Sequence, residues 1–440
     1  MSPSKQATST GRLTARSDPK KRSGLIAWAL YDWANSAFFT LIQTFVFATY
    51  FVRVVAENET VGTALWGYMT AATGFVIALG GPVLGAMADQ GGRRKPWIAV
   101  FTLLCVIATA GLWFVAPSPD SVLLALIVVA VGTFGAEFAS VFYNAMLPDI
   151  ASTERIGRWS GWGWGLGYAG GLACLVVALL GFIEAENPWF TFDRGASEDV
   201  RATFLLTAAW VLVFSVPLFL LTPDTPSTGK ALSQAVLDGF RQLLSSVRQA
   251  RRYRHIIHFL IARMLYTDGL LTLFMFGGVY AAGTFDMSQA NVLKFGIALN
   301  VSAGLGAVAF AWVDDWIGAK ATIMLSLVGL IVPGILILLV DSESAFWLLG
   351  IIIGVFIGPV QAASRSYLAR AAPQALRAEM FGLYALSGKA TSFLGPLTVG
   401  WLTHLTGSQR IGMSPIIVLL ATGFVLMLTV PRPRQALSAE

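Results

Sequence analysis

Besides Lys294 near an outer end, where its stem can snorkel, five charged side chains stand well inside runs of apolar residues: Asp32, Glu137, Arg263, Asp268 and Lys389. A charge there is costly, at least ~2.5–3.5 kcal/mol at the centre of a membrane helix, and marks a cavity, an ion pair or a proton relay. After Asp32, the residues Asn35, Ser36, Thr40 and Gln43 recur at spacings near three and four. They make one polar stripe on an otherwise apolar helix. The stripe reads as a cavity lining, with a helix-packing face satisfied by neighbours as the alternative. Asp32 lies about 10 Å from the near end of its run at 1.5 Å per residue, a depth suited to an inner gate. Glu137, Ser140 and Asn144 share a helical face, and Glu137 is suited either to exchange a coupling proton or to form half of an ion pair. Arg263 and Asp268, with Tyr266 between them, are five apart and point to different sides, so Arg263 is expected to pair with another helix. Lys389 offers an ammonium group to a solute carboxylate or phosphate; a structural pair with Glu137 or Asp268 is the alternative.

A second constellation sits in the loops. Gly85-Ala86-Met87-Ala88-Asp89-Gln90-Gly91-Gly92-Arg93-Arg94-Lys95 has a counterpart in Ala311-Trp312-Val313-Asp314-Asp315-Trp316-Ile317-Gly318-Ala319-Lys320. Asp89 and Gly92 match Asp315 and Gly318, and Arg94 matches Lys320. A carboxylate at a helix end can pair with arginine or meet the positive N-terminus of a neighbouring helix, and such a contact can form in one conformation and break in another. The run from Gly161 to Gly167 looks like a dinucleotide loop, but no strand precedes it. Gly163, Gly167 and Gly171 instead fall four apart and give a smooth surface for close helix packing or sliding. His255 and His258 have no third ligand nearby, so neither a metal nor a cofactor is expected.

The elements that must position these residues are transmembrane helices. The 440 residues are 56% hydrophobic and 12% charged, against roughly 25% charged for a soluble domain. Apolar runs of about 20 residues match ~30 Å of hydrocarbon. Period-2 alternation is absent, which excludes a barrel. The expected spans are 25–52, 63–88, 96–116, 121–147, 159–183 and 202–222, then 256–283, 289–313, 320–340, 344–363, 378–403 and 412–430. With the N-terminus inside, cytoplasmic segments collect 23 of the 30 Lys and Arg residues and the opposite loops four. That asymmetry follows the positive-inside rule. The basic balance is therefore topological, and nucleic acid is not an expected partner. Residues 1–23 read as a disordered cytoplasmic tail. Residues 223–255 read as a linker whose Ala231, Leu232, Ala235, Val236, Phe240, Leu243 and Leu244 make an amphipathic surface helix. The linker separates bundles at 24–222 and 256–431, and residues 432–440 form a second cytoplasmic tail.

The glycine, aspartate, glycine and basic-cluster loop resembles the loop motif of the major facilitator superfamily, closely in the first copy and partially in the second. The string YDWANSAF, Tyr31 to Phe38, resembles the hallmark of the vacuolar-effluxer-like family. Tyr143 to Asp149, Gly161 to Gly171 and Phe381 to Lys389 add to the likeness. The resemblance implies an all-α fold of twelve transmembrane helices in two six-helix bundles, alternating access, and a cavity lined by spans 1, 4, 7 and 10 with a contribution from 11. The expectation is a secondary transporter in the cell membrane, a monomer with both termini inside, carrying a small solute. Proton coupling is a further expectation, and an amino acid or small organic anion is the preferred cargo. A lipid or drug exporter on the same fold is one alternative. A membrane-embedded lipid-modifying enzyme is another, weakened by three histidines and no diphosphate-binding aspartate cluster.

Overall fold

The computed structural model describes residues 19–183, 192–229, 253–287 and 289–432, with a few positions between 234 and 241. The described chain is helical throughout, without strands. Eleven helices are long and apolar enough to cross a membrane. Numbered by span, they begin with α1 Pro19–Ala37, α2 Glu59–Gly91, α3 Lys95–Gly111, α4 Val122–Ile150, α5 Ile156–Ala178 and α6 Glu198–Leu221. The second half has α7 Arg254–Phe285, α8 Gln289–Ile317, α9 Ala319–Ile337, α10 Glu343–Ala371 and α12 Gln409–Thr429. The twelfth crossing is two short pieces, α11a Arg377–Lys389 and α11b Leu394–Thr406.

Three departures from the sequence expectations have local causes. The helix of span 1 starts at Pro19, so Lys20, Lys21 and Arg22 are its first turns rather than tail; proline is favoured at a first helical position. Span 11 breaks because Pro396 has no N–H to give the preceding turn and its ring crowds the carbonyl four residues back. The break is held by Ser392 Oγ on the Lys389 carbonyl at 3.0 Å. Span 10 runs to Ala371, eight residues beyond its expected end at 363, because Ser364 to Ala371 keep helical hydrogen bonding through small and polar residues. Arg365 thereby leaves the loop and enters the membrane helix. The amphipathic reading of Ala231 to Leu244 lies outside the described residues.

Span 1 also changes winding. After Ala37 the chain turns π-helical over Phe38–Phe45 and again over Phe51–Val55. The Val46 N–H donates to Leu41 five residues back at 2.9 Å. Wide turns of this kind recur at functional positions, and this one carries Thr40 and Gln43 of the polar stripe. The two halves meet along α2 with α11a and along α5 with α8. Glycine makes the approach possible. A Cβ on Gly85 would enter the Ala378 carbonyl, and one on Gly81 would stand 3.0 Å from the Gly382 oxygen. Gly161 faces Ala307 and Ala311 of α8 in the same way.

Candidate functional site

The end of the bundle that carries Arg94, Arg158, Arg370 and Arg377 is here the basic end. Asp89, at the last turn of α2, accepts the backbone N–H groups of Ala378 and Glu379, both at 3.0 Å. These are the first-turn amides of α11a, the positive end of a helix in the other half. Asp315 at the end of α8 does the same in reverse, accepting the Arg158 N–H of α5 at 3.1 Å. Gly92 and Gly318 end their helices with positive φ, 83° and 89°. Each donates its N–H to the carbonyl four residues back. This is the left-handed stop that glycine allows at no steric cost.

Arginines complete both clusters. Arg94 pairs with Asp149 and lies 3.7 Å from Asp89. Arg377 from the other half also pairs with Asp149. Burial pulls the Arg94 guanidinium below its ordinary value, while Asp89 and Asp224 draw it back up. In the second cluster Arg370 reaches Asp314 at 2.5 Å and Asp315 at 3.2 Å. Lys320 is not the counterpart of Arg94. Its ammonium donates to the carbonyls of Leu428 and Val430, at 2.9 and 2.5 Å, closing the C-terminus of α12. Lys95 caps α6 similarly through the Phe219 carbonyl at 2.9 Å. The neutralising role falls to Arg370, which the sequence motif does not contain. Arg93 is exposed at the rim of a surface pocket with Lys95 and Asp224.

Deeper in, Arg365 of α10 projects into the first half. Its guanidinium pairs with Asp32 at 2.8 Å and donates to Asn144 Oδ1 at 3.2 Å. It also donates to the Ser160 hydroxyl at 2.9 Å and the Ser160 carbonyl at 2.6 Å. Trp28, Tyr143 and Trp164 surround it, with ring centroids 5.0, 5.9 and 5.8 Å from the guanidinium carbon. A buried arginine needs this many partners, since an uncompensated charge costs several kcal/mol. Gly163 makes room, because a Cβ there would lie 2.5 Å from Asp32 and 2.8 Å from Arg365. Gly167 and Gly171 continue the same face against Ser36 and Thr40. The three glycines thus seat α5 on the polar stripe of α1.

At mid-depth Lys389 joins the halves through an ion pair with Glu137 at 2.8 Å. Their side chains keep 29% and 18% exposure, unlike the sealed guanidinium of Arg365 at 3%. Asn35 donates to Ser140 at 2.9 Å and Gln43 to Thr133 at 2.7 Å, which ties the stripe of span 1 to α4. Tyr266 shares a hydrogen bond of 2.6 Å with Ser364 inside the second half. Arg263 donates to the Tyr384 carbonyl and the Ser387 hydroxyl, both at 2.7 Å, and lies over the Tyr384 ring. Asp268 is buried in the second half, without a hydrogen bond on either oxygen. The structure therefore brings Asp32, Asn35, Asn144 and Arg365 into one cluster and Glu137 and Lys389 into another. Tyr266 and Asp268 stand apart from both. No group of three metal-ligating side chains occurs among the described residues. The cross-half bonds described here lie between the basic end and mid-depth.

A family model described as "Vacuole effluxer Atg22 like" matches residues 52–440. The Bacillus subtilis "Uncharacterized MFS-type transporter YxiO" is 29% identical over 408 residues, covering 92% of this chain and 94% of that protein. The Saccharomyces cerevisiae "Autophagy-related protein 22" is 24% identical over 369 residues, covering 72% of this chain and 67% of the yeast protein. The chain spans about half the length, 51%, of a related Penicillium rubens protein, "Autophagy-related protein 22-1". Among solved structures, the proton:xylose symporter XylE superposes with a TM-score of 0.71 at 16% identity, over 94% of this chain and 96% of XylE. FucP in its outward conformation gives 0.71 at 12% identity, over 93% of this chain and 98% of FucP. These structures share the fold, and the Bacillus subtilis relative is described as an MFS-type transporter. The chain is thus a multi-pass membrane protein of the major facilitator fold, an MFS-type transporter belonging to the Atg22-like vacuole effluxer family.

Proposed function

We propose that this protein is a secondary transporter that carries a small solute across the cell membrane by alternating access. The basic end is assigned to the cytoplasm by the loop charges. The conformation is then closed towards the cytoplasm, and the solute enters from the other side. One observation carries the reading: the Glu137–Lys389 pair joins the two halves at mid-depth, at 2.8 Å, and stays partly accessible. A zwitterion or organic anion can compete for that pair, its carboxylate taking Lys389 and an amino group taking Glu137. Asn35 and Gln43 supply neutral hydrogen-bonding groups nearby on the stripe of span 1. An amino acid or small organic anion fits these groups better than an apolar lipid. Bundles at 24–222 and 256–431 would rock about the glycine contacts between α2 and α11a and between α5 and α8, as a monomer. Protons supply the driving force in this reading.

Thermal-shift screening of the purified protein against amino acids, dipeptides, organic acids and cationic drugs tests the proposal. A stabilising amino acid or organic acid whose effect is lost in Lys389→Met supports it. Stabilisation by apolar drugs or lipids alone, unchanged in Lys389→Met, overturns the solute class.

A further inference from the structure

Most described acidic side chains at the basic end and in the cross-half clusters sit against a cation: Asp32 has Arg365, Glu137 has Lys389, and Asp89 has Arg94, while Glu379, buried beside Asp89 at the basic end, has an interaction of its own. Asp149, Asp314 and Asp315 have Arg377 or Arg370. Asp268 differs. It stands at the middle of α7, 2% exposed, and neither carboxyl oxygen has a hydrogen-bond partner. The Gly395 amide comes close without hydrogen-bond geometry. A Cβ on Gly395 would stand 3.1 Å from Oδ1 of Asp268. Thr272, one turn on, spends its hydroxyl on the Asp268 carbonyl at 2.7 Å and leaves the carboxyl group unserved.

The charged and titratable groups on the surrounding helices are engaged elsewhere or lie at the ends. On α7 itself, Arg263 is held by Tyr384 and Ser387, and Tyr280 donates to the Ile337 carbonyl. On α11a, Lys389 is held by Glu137, while Arg377 and Glu379 lie at the basic end. On α10, Arg365 and Arg370 have their carboxylates, and Tyr367 donates to the Pro431 carbonyl. On α8, Asp314 and Asp315 belong to the basic-end gate and Lys294 is exposed at the opposite end. His404 of α11b is exposed near that end, and Arg410 of α12 pairs there with Asp341.

We propose that Asp268 is the proton carrier of this transporter, and that the break in span 11 is the door over it. An ionised carboxylate sealed without a partner is costly enough that such groups take up a proton instead. Asp268 is therefore a neutral acid in this conformation. The door is the start of α11b, whose first-turn amides end a half-helix inside the membrane and favour negative charge. If α11b shifts so that the nearby Gly395 amide closes onto Asp268, or water enters beside Gly395, the carboxylate is stabilised and its proton passes to water. Lys389 is the last residue of α11a and Gly395 the second of α11b, with only residues 390–394 between them. A solute that draws Lys389 away from Glu137 pulls on that same turn. Solute occupancy and proton release are thereby coupled through one short segment, a step that rests on the transport reading above.

The test is infrared difference spectroscopy of the full chain in lipid nanodiscs across a pH titration. Wild type at neutral pH should show the carbonyl stretch of a buried neutral carboxylic acid. Asp268→Asn should lose it, Asp268→Glu should shift it, and Glu137→Gln should keep it. Persistence of the same band in Asp268→Asn overturns the proposal. Loss of the wild-type band on adding NaCl, but not KCl, at fixed pH also overturns it and makes the group a sodium ligand. Should Asp268→Asn not fold, a band that fails to shift in Asp268→Glu is equally decisive. These spectra need no solute, so the transport reading can fail separately. In proteoliposomes given an amino-acid mixture, solute-evoked proton uptake should fall to background in Asp268→Asn. Proton uptake that continues in that variant overturns the proposal.

Discussion

Replacing Arg365 by alanine should open the basic end. The guanidinium makes an ion pair with Asp32 at 2.8 Å and donates to Asn144 and twice to Ser160. Every one of these partners lies in the half opposite Arg365. Removing one member of a buried pair costs about 3–5 kcal/mol, because the remaining charge is left unpaired. Asp32 recovers water once the halves part, so the penalty falls on the closed state alone. At about 1.4 kcal/mol per factor of ten, the closed-to-open ratio at the basic end drops by roughly two to three and a half powers of ten. Spin labels at Glu154→Cys and Gln374→Cys, both exposed and on opposite halves, report the change as a distance distribution. The native Cys105 and Cys174 are buried and do not compete for label. The variant should populate a long-distance peak that wild type lacks. Asp32→Ala combined with Arg365→Ala should move part of that population back, since no charge is then stranded. A single variant with unchanged distances, or a double variant more open than the single one, refutes the latch.

Four other outcomes follow from the same contacts. Asp89→Asn weakens two charge-assisted bonds to the α11a amides, and about 1.5–3 kcal/mol should shift towards the open basic end; the same label pair measures it. Asp315→Asn should act in the same direction through the Arg158 amide, and the two effects should be close to additive, because the gates share no partner. Gly85→Val puts a side chain into the Ala378 carbonyl, so the variant should stay in the membrane yet fail in counterflow, a defect that Gly67→Val should not share. Lys389→Met leaves Glu137 unpaired and should lower thermal stability, with Glu137→Gln in the same chain restoring part of the loss; a further drop in the double variant would sink that expectation.

Much of the architecture is legible in the sequence because membrane burial imposes length, apolarity and loop charge on every helix. The aspartate–glycine loops are legible too, since only glycine provides the left-handed stop that leaves Asp89 and Asp315 aimed at a helix N-terminus. Arg365 was hidden for the opposite reason. The apolar run ends near residue 363, so the arginine counts as loop charge, whereas the helix continues through Ser364, Ser366 and Tyr367. The signal was the absence of any turn former before Pro373, together with an Asp32 that needed a cation. Lys320 misled because spacing equates it with Arg94, although its ammonium closes a helix terminus while Arg370 takes up the carboxylates. The break in span 11 was written in Gly395-Pro396. The partner of Lys389 was open in the sequence, since depth alone places Glu137 and Asp268 equally near.

In the proposed cycle the two halves pass a small solute between them under the control of Glu137 and Lys389. Its most direct test is flux through proteoliposomes containing the purified full chain, with a panel of radiolabelled amino acids and small organic acids and a proton gradient of either direction. At least one solute should cross in a gradient-dependent manner, and Lys389→Met should abolish the flux while keeping the fold. Flux that is indifferent to Lys389→Met, or no flux of any solute alongside lipid translocation by the same vesicles, would contradict it.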